Sequence, residues 1–266
     1  MLELYHNDMS TCAQKVRLTL AEKGLDWTGH HFNLREGPQH KAGYLTLNPN
    51  GVVPTLIDDG RVVIESTVIM EYIDDRWPDP ALRPSDAWGR SRMRLWTKQL
   101  DEGLHAMTGV LSSSIAFRHQ HFAIKTEEQV RQSIENIPDA GKRERQRENI
   151  LKGLDSKFLP AAVKRFAKLI GDIDSALAAS DWLAGDAFSL ADIAYTPYMV
   201  RLTHLQMAWL WDDKPAVAAW FARIQARPSF QVGIGDWLNE SYLPLMEEKG
   251  GEAKEHLQKL AAYSRV

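Results

Sequence analysis

The stretch "DMSTCAQKVRL" sets Ser10 and the chain's one cysteine, Cys12, two residues apart where a short apolar run meets a helical pattern. In the first turn of a helix the backbone N–H groups and the dipole favour negative charge, lowering a thiol pKa from its usual value of about 8.5. Cys12 could then be a nucleophile itself. Alternatively the reacting thiol belongs to a ligand, and the Ser10 hydroxyl donates to its sulfur. A third reading is a helix cap followed by a small buried residue. The residues alone leave all three open.

Two further stretches carry groups suited to holding a small ligand. "NPNGVVPTL" (48–56) places Pro54 directly before a strand, where proline removes a ladder donor. A cis bond would turn the preceding backbone outward and leave the N–H and C=O of Val53 to a ligand; a trans proline opening an edge strand is the other reading. In "IESTV" (64–68), Glu65 and Ser66 fall between a strand end and a helix start. Ser66 is the expected N-cap, the helix N–H groups suit a carboxylate, and Glu65 suits an ammonium. A ligand with both groups on one carbon would use the pair. "FSLADIAY" (188–195) has the capping-box spacing at Ser189 and Asp192 and reads as a folding signal. His119 and His121, two apart, point to different faces of a helix, and no metal site is expected.

The elements that must position these groups follow from period and punctuation. "LELY" is a short strand, 11–23 a helix ending at Gly24, "WTGHHFNL" a second strand, and "VPTLIDDGRVVIES" a hairpin turning at Asp59-Gly60. "TVIMEYIDDRW" is a second helix. "WPDPALRPSDA" carries three prolines and reads as a linker over 77–87. Beyond it strand signals vanish, and 88–117, 157–179, 189–210 and 215–226 read as helices. Residues 118–156 are polar and heavily charged, expected as solvated helices broken near Pro138.

Composition narrows the classes. The 266 residues are 44% hydrophobic with nine tryptophans, which supplies a core for one large domain or two modest ones. A net charge of −3 gives no overall bias toward nucleic acid or anionic membranes, and Glu144 and Glu148 interrupt the basic run "KRERQRE". One cysteine excludes an intrachain disulfide framework and fits a reducing compartment. No apolar run of about 18 residues and no leader pattern is present, so a soluble cytoplasmic protein with neither membrane nor nucleic-acid partner is expected.

Taken together, the pieces resemble the glutathione transferase superfamily over nearly the whole chain. The strand and helix order is similar to its α/β thioredoxin-like N-terminal domain, expected over 1–76. An all-α C-terminal helical domain is expected over 88–266, with the charged insertion at about 118–156. "NPNGVVPTL" resembles the family's Asn-Pro-x-x-x-Val-Pro signature, "ESTVI" its Glu-Ser segment and "FSLADIAY" its helical-domain cap. The resemblance implies glutathione as the bound co-substrate. Val53, before a cis Pro54, would bond the cysteinyl backbone; Glu65 and Ser66 would hold the γ-glutamyl end, and His40 or Lys41 the glycyl carboxylate. It also implies a homodimer in which Asp101 reaches the neighbouring ligand's amine. Ser10 becomes the expected thiolate donor and Cys12 a candidate second thiol.

The overall layout and the insertion are similar to bacterial glutathione-dependent β-etherases, which attack the carbon bearing an ether oxygen. "MSTCAQKVRL" instead resembles tetrachlorohydroquinone reductive dehalogenase, and also the zeta-class isomerase motif, from which Thr11 departs. The expected electrophile is small, hydrophobic and aromatic. A Cys12-dependent dehalogenase or isomerase is the alternative, and a non-catalytic binding or dimerisation module the reading from another class.

Overall fold

The N-terminal sheet is built from short strands that alternate inward and outward residues. In the computed structural model, which describes residues 1–137 and 139–262, Leu2–His6 (β1) buries Leu2, Leu4 and His6 in period two. The helix Thr11–Glu22 (α1) returns the chain to Thr28–His31 (β2), which pairs parallel to β1. A single four-residue turn, Ala42–Leu45 (α2), precedes Thr55–Asp58 (β3) and Arg61–Ile64 (β4). Asp59 and Gly60 both have positive φ, 47° and 81°, as a two-residue hairpin twisted with its strands requires. The sheet order is β2-β1-β3-β4, with β3 antiparallel to both neighbours.

Ser66–Arg76 (α3) and α1 close the apolar face of this sheet. Leu2, Leu4, Val16, Leu20, Leu56, Ile69 and Ile73 form one buried cluster there. Each fully buried aliphatic side chain contributes about 1.5–3 kcal/mol, so this cluster is what makes the first subdomain fold. The proline-rich segment after α3 is stapled by Asp74, which accepts from Lys23 Nζ at 2.5 Å, the Leu82 N–H at 2.9 Å and Arg83 Nε at 2.5 Å.

The chain divides into two compact units. The first comprises 1–98, 176–199 and 218–239. Besides the sheet it holds Ala87–Gln99 (α4) up to Lys98, and segments of later helices described below. The second comprises 99–175, 200–217 and 240 onward. Here the expected continuous helix over 88–117 is broken: Glu102 and Gly103 leave helical geometry, Gly103 at φ +115°. His105–Ser112 (α5) and Arg118–Ile124 (α6) follow, joined through a widened π turn at Ser113–Phe117.

The charged segment forms Glu127–Glu135 (α7) and Ala140–Arg147 (α8), so the expected break falls between them, Pro138 itself lying outside the described residues. It is not all solvated face. Val130, Ile134 and Ile150 are buried against Phe122 and Leu151, a small core of its own. Leu159–Leu177 (α9) buries Leu159, Ala162, Val163, Phe166, Leu169, Ile170 and Ile173, the i, i+3, i+4 stripe of an amphipathic helix.

Leu190–His204 (α10), Pro215–Gln225 (α11), Pro228–Gly233 (α12) and Leu243–Ala262 (α13) complete the chain. Among the described residues no helix is long and apolar enough to cross a membrane.

Candidate functional site

Strand register gathers the chemistry-bearing residues. Tyr5 pairs with Thr55, and Thr55 with Ile64. Continuing those registers brings the loop after β1, the Val53-Pro54 pair before β3 and the Glu65-Ser66 pair after β4 to one end of the sheet. Parallel pairing of His6 with His31 adds the segment after β2.

Ser10 is the N-cap of α1, with φ −71° and ψ 115°, and its Oγ accepts from the Ala13 N–H at 3.3 Å. A capping hydroxyl uses a lone pair, so its own proton is still available to donate outward. Ser10 and Cys12 are each partly exposed, Cys12 being the second helical residue. Helix start and hydroxyl together favour an anion at this point.

The second wall is the loop 48–54. Its Val53–Pro54 bond is cis, which answers the question the residues left open. Tyr44 Oη and Asn48 Nδ2 donate to the Val52 carbonyl at 2.6 and 2.9 Å, and both also meet Thr55 Oγ1. Burial raises the Tyr44 phenol, so it stays a donor at neutral pH. Among the described residues the backbone N–H and C=O of Val53 make no hydrogen bond, although the residue is buried. Buried backbone groups are paired almost everywhere. An open pair beside a rigid loop can accept the backbone of an extended peptide-like ligand.

Glu65 sits in a backbone region that L-residues rarely enter, φ 68° and ψ 113°. Its carboxylate is exposed and accepts from Asn50 Nδ2 at 3.1 Å. The expectation of Ser66 as N-cap is corrected. The Glu65 carbonyl takes the first helical bond, from the Ile69 N–H at 2.8 Å, which makes Glu65 the cap and Ser66 the first helical residue. Ser66 is buried with its N–H at the open end of α3.

His40 is exposed, and its ring lies over Gly51, where an added Cβ would come within 2.9 Å of Nδ1. That places it at the rim of the same loop. Lys41 is exposed at the start of α2 without a side-chain cap bond. Pro54 is buried behind Val53. Asp101 is not in this unit; it lies exposed in the second, at the Leu100–Leu104 kink.

The locking residues Tyr44 and Asn48 escaped the sequence reading. Asn48 had a usable signal, since its Oδ1 accepts from the Asn50 N–H at 3.1 Å in the Asx turn that "NPNG" encodes. Tyr44 had none. Tyr195, which ends "FSLADIAY", is fully buried, and its hydroxyl donates to the Trp96 carbonyl at 2.9 Å. Around "FSLAD" the Asp192 carboxylate accepts from the Ser189 N–H and hydroxyl, the Leu183 N–H and Trp220 Nε1, a helix cap in full.

Known proteins share this plan. The family model for the glutathione S-transferase N-terminal domain matches residues 9–76, and that for the C-terminal domain matches 155–228. Protein LigF of Sphingobium sp. is 30% identical over 259 residues, covering 93% of this chain and 98% of its own. Maleylacetoacetate isomerase of Pseudomonas aeruginosa is 33% identical over 233 residues, covering 86% and 94%. The crystal structure of the beta-etherase LigF matches with a TM-score of 0.77 at 28% identity, over 88% of this chain and 99% of that one. With a helix-capping serine, a cis-proline loop and a Glu-Ser helix start at one end of a thioredoxin-like sheet, and relatives of that kind along nearly its whole length, the chain belongs to the glutathione S-transferase family and is an enzyme of that family.

Proposed function

We propose that the chain binds glutathione across this sheet end and directs its thiolate at a small hydrophobic aromatic electrophile, with β-aryl ether cleavage as the reaction. The carrying observation is the outward-available Ser10 hydroxyl at the same sheet end as the open Val53 backbone and the exposed Glu65 carboxylate. Val53 pairs with the cysteinyl backbone. Glu65 receives the γ-glutamyl ammonium, the N-terminus of α3 with Ser66 receives its carboxylate, and His40 or Lys41 meets the glycyl carboxylate.

Donation from Ser10 and the dipole of α1 stabilise the thiolate, so it forms near neutral pH without a general base. The thiolate attacks the carbon bearing the ether oxygen. A C–S bond forms, the C–O bond breaks, and the aryl oxide leaves and takes a proton from solvent. The whole-length similarity to the beta-etherase LigF supports this electrophile class.

Cys12, partly exposed and two residues after Ser10 in the first turn of α1, supports a second reading. In it the Cys12 thiolate attacks the sulfur of an aryl–glutathione adduct, expels the aryl carbon as its reduced, protonated form, and becomes a mixed disulfide. A second glutathione then frees Cys12 and leaves as glutathione disulfide.

The enzyme is further proposed to be a cytoplasmic homodimer, with Asp101 reaching the ligand of the other protomer. Val68 on α3 and Leu95 on α4 are exposed apolar residues, 55% and 64%, and the Arg94–Glu71 pair joins the same helices. Retention on immobilised glutathione, with thermal stabilisation by the tripeptide, tests the binding half; absence of both sinks the proposal. Turnover of a β-aryl ether dimer, a halogenated hydroquinone and an aryl halide tests the electrophile. Loss of hydroquinone turnover alone in Cys12→Ala would favour the reductive route.

A further inference from the structure

Arg17 is 1% exposed, and among the described residues its guanidinium touches no carboxylate. An ion taken so far from water is retained only where its hydrogen bonds are well made. All of them here are to neutral groups. Nη1 donates to the Asn7 carbonyl at 2.8 Å and faces His6 Nδ1 at 3.2 Å; Nη2 donates to the Asp8 carbonyl at 3.0 Å; Nε donates to the Gly233 carbonyl at 2.9 Å. The group also lies 5.1 Å from the Trp237 ring.

Two of these acceptors belong to the three-residue loop that delivers the chain to Ser10. Arg17 follows Ser10 by seven positions, two helical turns, so both project from one face of α1. Long helical side chains lean toward the N-terminus, which carries the guanidinium back under the loop. Beside those carbonyls, further bonds hold the loop. The Asp8 N–H meets His31 Nε2 at 3.3 Å, and the Met9 N–H meets Asp8 Oδ1 at 2.6 Å. Asn7 Nδ2 donates to the Phe32 carbonyl at 2.9 Å, and Asn239 Nδ2 to Asp8 Oδ2 at 2.7 Å.

The far anchor is equally tight. A Cβ on Gly233 would come within 2.8 Å of the Leu18 Cα, so α12 approaches α1 as only glycine permits.

We infer that Arg17 is the positioning residue of the thiolate site: its fork ties the Asn7–Asp8 carbonyls to Gly233 and so fixes where the Ser10 hydroxyl points. This rests on the reading of Ser10 as thiolate donor. The ionisable groups facing the guanidinium are His6 from β1 and Asp8 from the loop. His6 is held neutral by burial and by this cation, with its pKa brought down to about 3, so it accepts through Nδ1. Burial lowers Arg17 to about 9, still cationic at neutral pH.

The test is an ultraviolet titration of the bound glutathione thiolate, with kcat and KM for glutathione using a dinitroaryl halide as the probe electrophile. Wild type, Ser10→Ala, Arg17→Met, Arg17→Lys and the Ser10→Ala/Arg17→Met double variant are compared. Arg17→Met is expected to raise the bound thiol pKa and lower kcat roughly 10–100-fold, as small displacements at a reacting centre do, with KM nearly unchanged. In the Ser10→Ala background it should add little.

Arg17→Lys keeps a buried cation but reaches one carbonyl rather than three, so it should fold and still be impaired; it carries the test where Arg17→Met does not fold. An equal slowing by Arg17→Met in both backgrounds, or a loss confined to KM, overturns the inference and leaves the Ser10 reading standing. A Ser10→Ala protein with an unshifted thiol pKa overturns both.

Discussion

In the proposed glutathione site, Glu65 is the residue at which binding would compete with stability. A non-glycine residue at φ 68° and ψ 113° costs about 1–3 kcal/mol, which the fold tolerates only because its surroundings over-determine it. Glu65→Gly should relieve that cost. Unfolding in urea is expected to show stability unchanged or higher by about 1 kcal/mol, glycine's unfolded-state entropy offsetting part of the gain. Glutathione affinity should fall at least about tenfold, because a charge-assisted bond is worth roughly 1.5–3 kcal/mol. A variant both less stable and equally tight-binding would contradict this.

Ser10 carries the complementary prediction. Ser10→Ala should lower kcat on the order of 100-fold at pH 7, as losing one preorganised donor to a developing anion does. It should also destabilise α1 by about 1 kcal/mol through the lost cap. Ser10 and Glu65 were readable as candidates because each sits at a strand–helix junction, and Val53 because a strand-opening proline follows it. Arg17 and His6 were not. Their role depends on Gly233 and Trp237, more than 200 positions away, and nothing in "QKVRL" signals that contact.

Among elements, the start of α10 is held by one buried carboxylate. Asp192 is fully buried and accepts four hydrogen bonds, including one from Trp220 Nε1 on α11 at 2.9 Å. Asp192→Ala would strand three buried N–H donors, each costing about 1–3 kcal/mol. A loss of at least about 3 kcal/mol in urea unfolding is expected, with Asp192→Asn intermediate; a loss under 1 kcal/mol would mean that the donors find other partners. This cap was legible because the capping-box spacing is local, and so was the Asp-Gly hairpin. The helix α13 was not. Gly250 and Gly251 interrupt its centre and weaken intrinsic helix preference. Packing overrides that preference, since a Cβ on Gly250 would come within 2.4 Å of the Leu205 carbonyl oxygen. The Leu100–Leu104 kink and the π turns escaped for a related reason: hydrophobic period continues through them while backbone geometry does not.

On the scale of the whole molecule, each compact unit encloses a histidine whose pKa folding brings well below its ordinary value. His6 in the first is lowered to about 3 by burial first and then by Arg17; His204 in the second is lowered to about 4 by burial and then by Arg201. Both values lie below the ordinary 6.5, so between them and 6.5 the unfolded chain binds protons that the folded chain refuses. Stability is therefore complete above about pH 7 and declines as pH falls through 6.5 toward 4. Each histidine contributes a slope of about 1.4 kcal/mol per pH unit in that window. Urea unfolding at pH 7.5, 6.5, 5.5 and 5.0, where exposed carboxylates remain ionised, should show the decline. His204→Phe should reduce its slope, since a neutral ring of similar shape cannot take up the proton. The half-buried His119, also lowered by burial, acts in the same direction and leaves a residual slope. An unchanged slope in His204→Phe would show that this ring is protonated in the folded protein, and would return the acid sensitivity to the other two histidines.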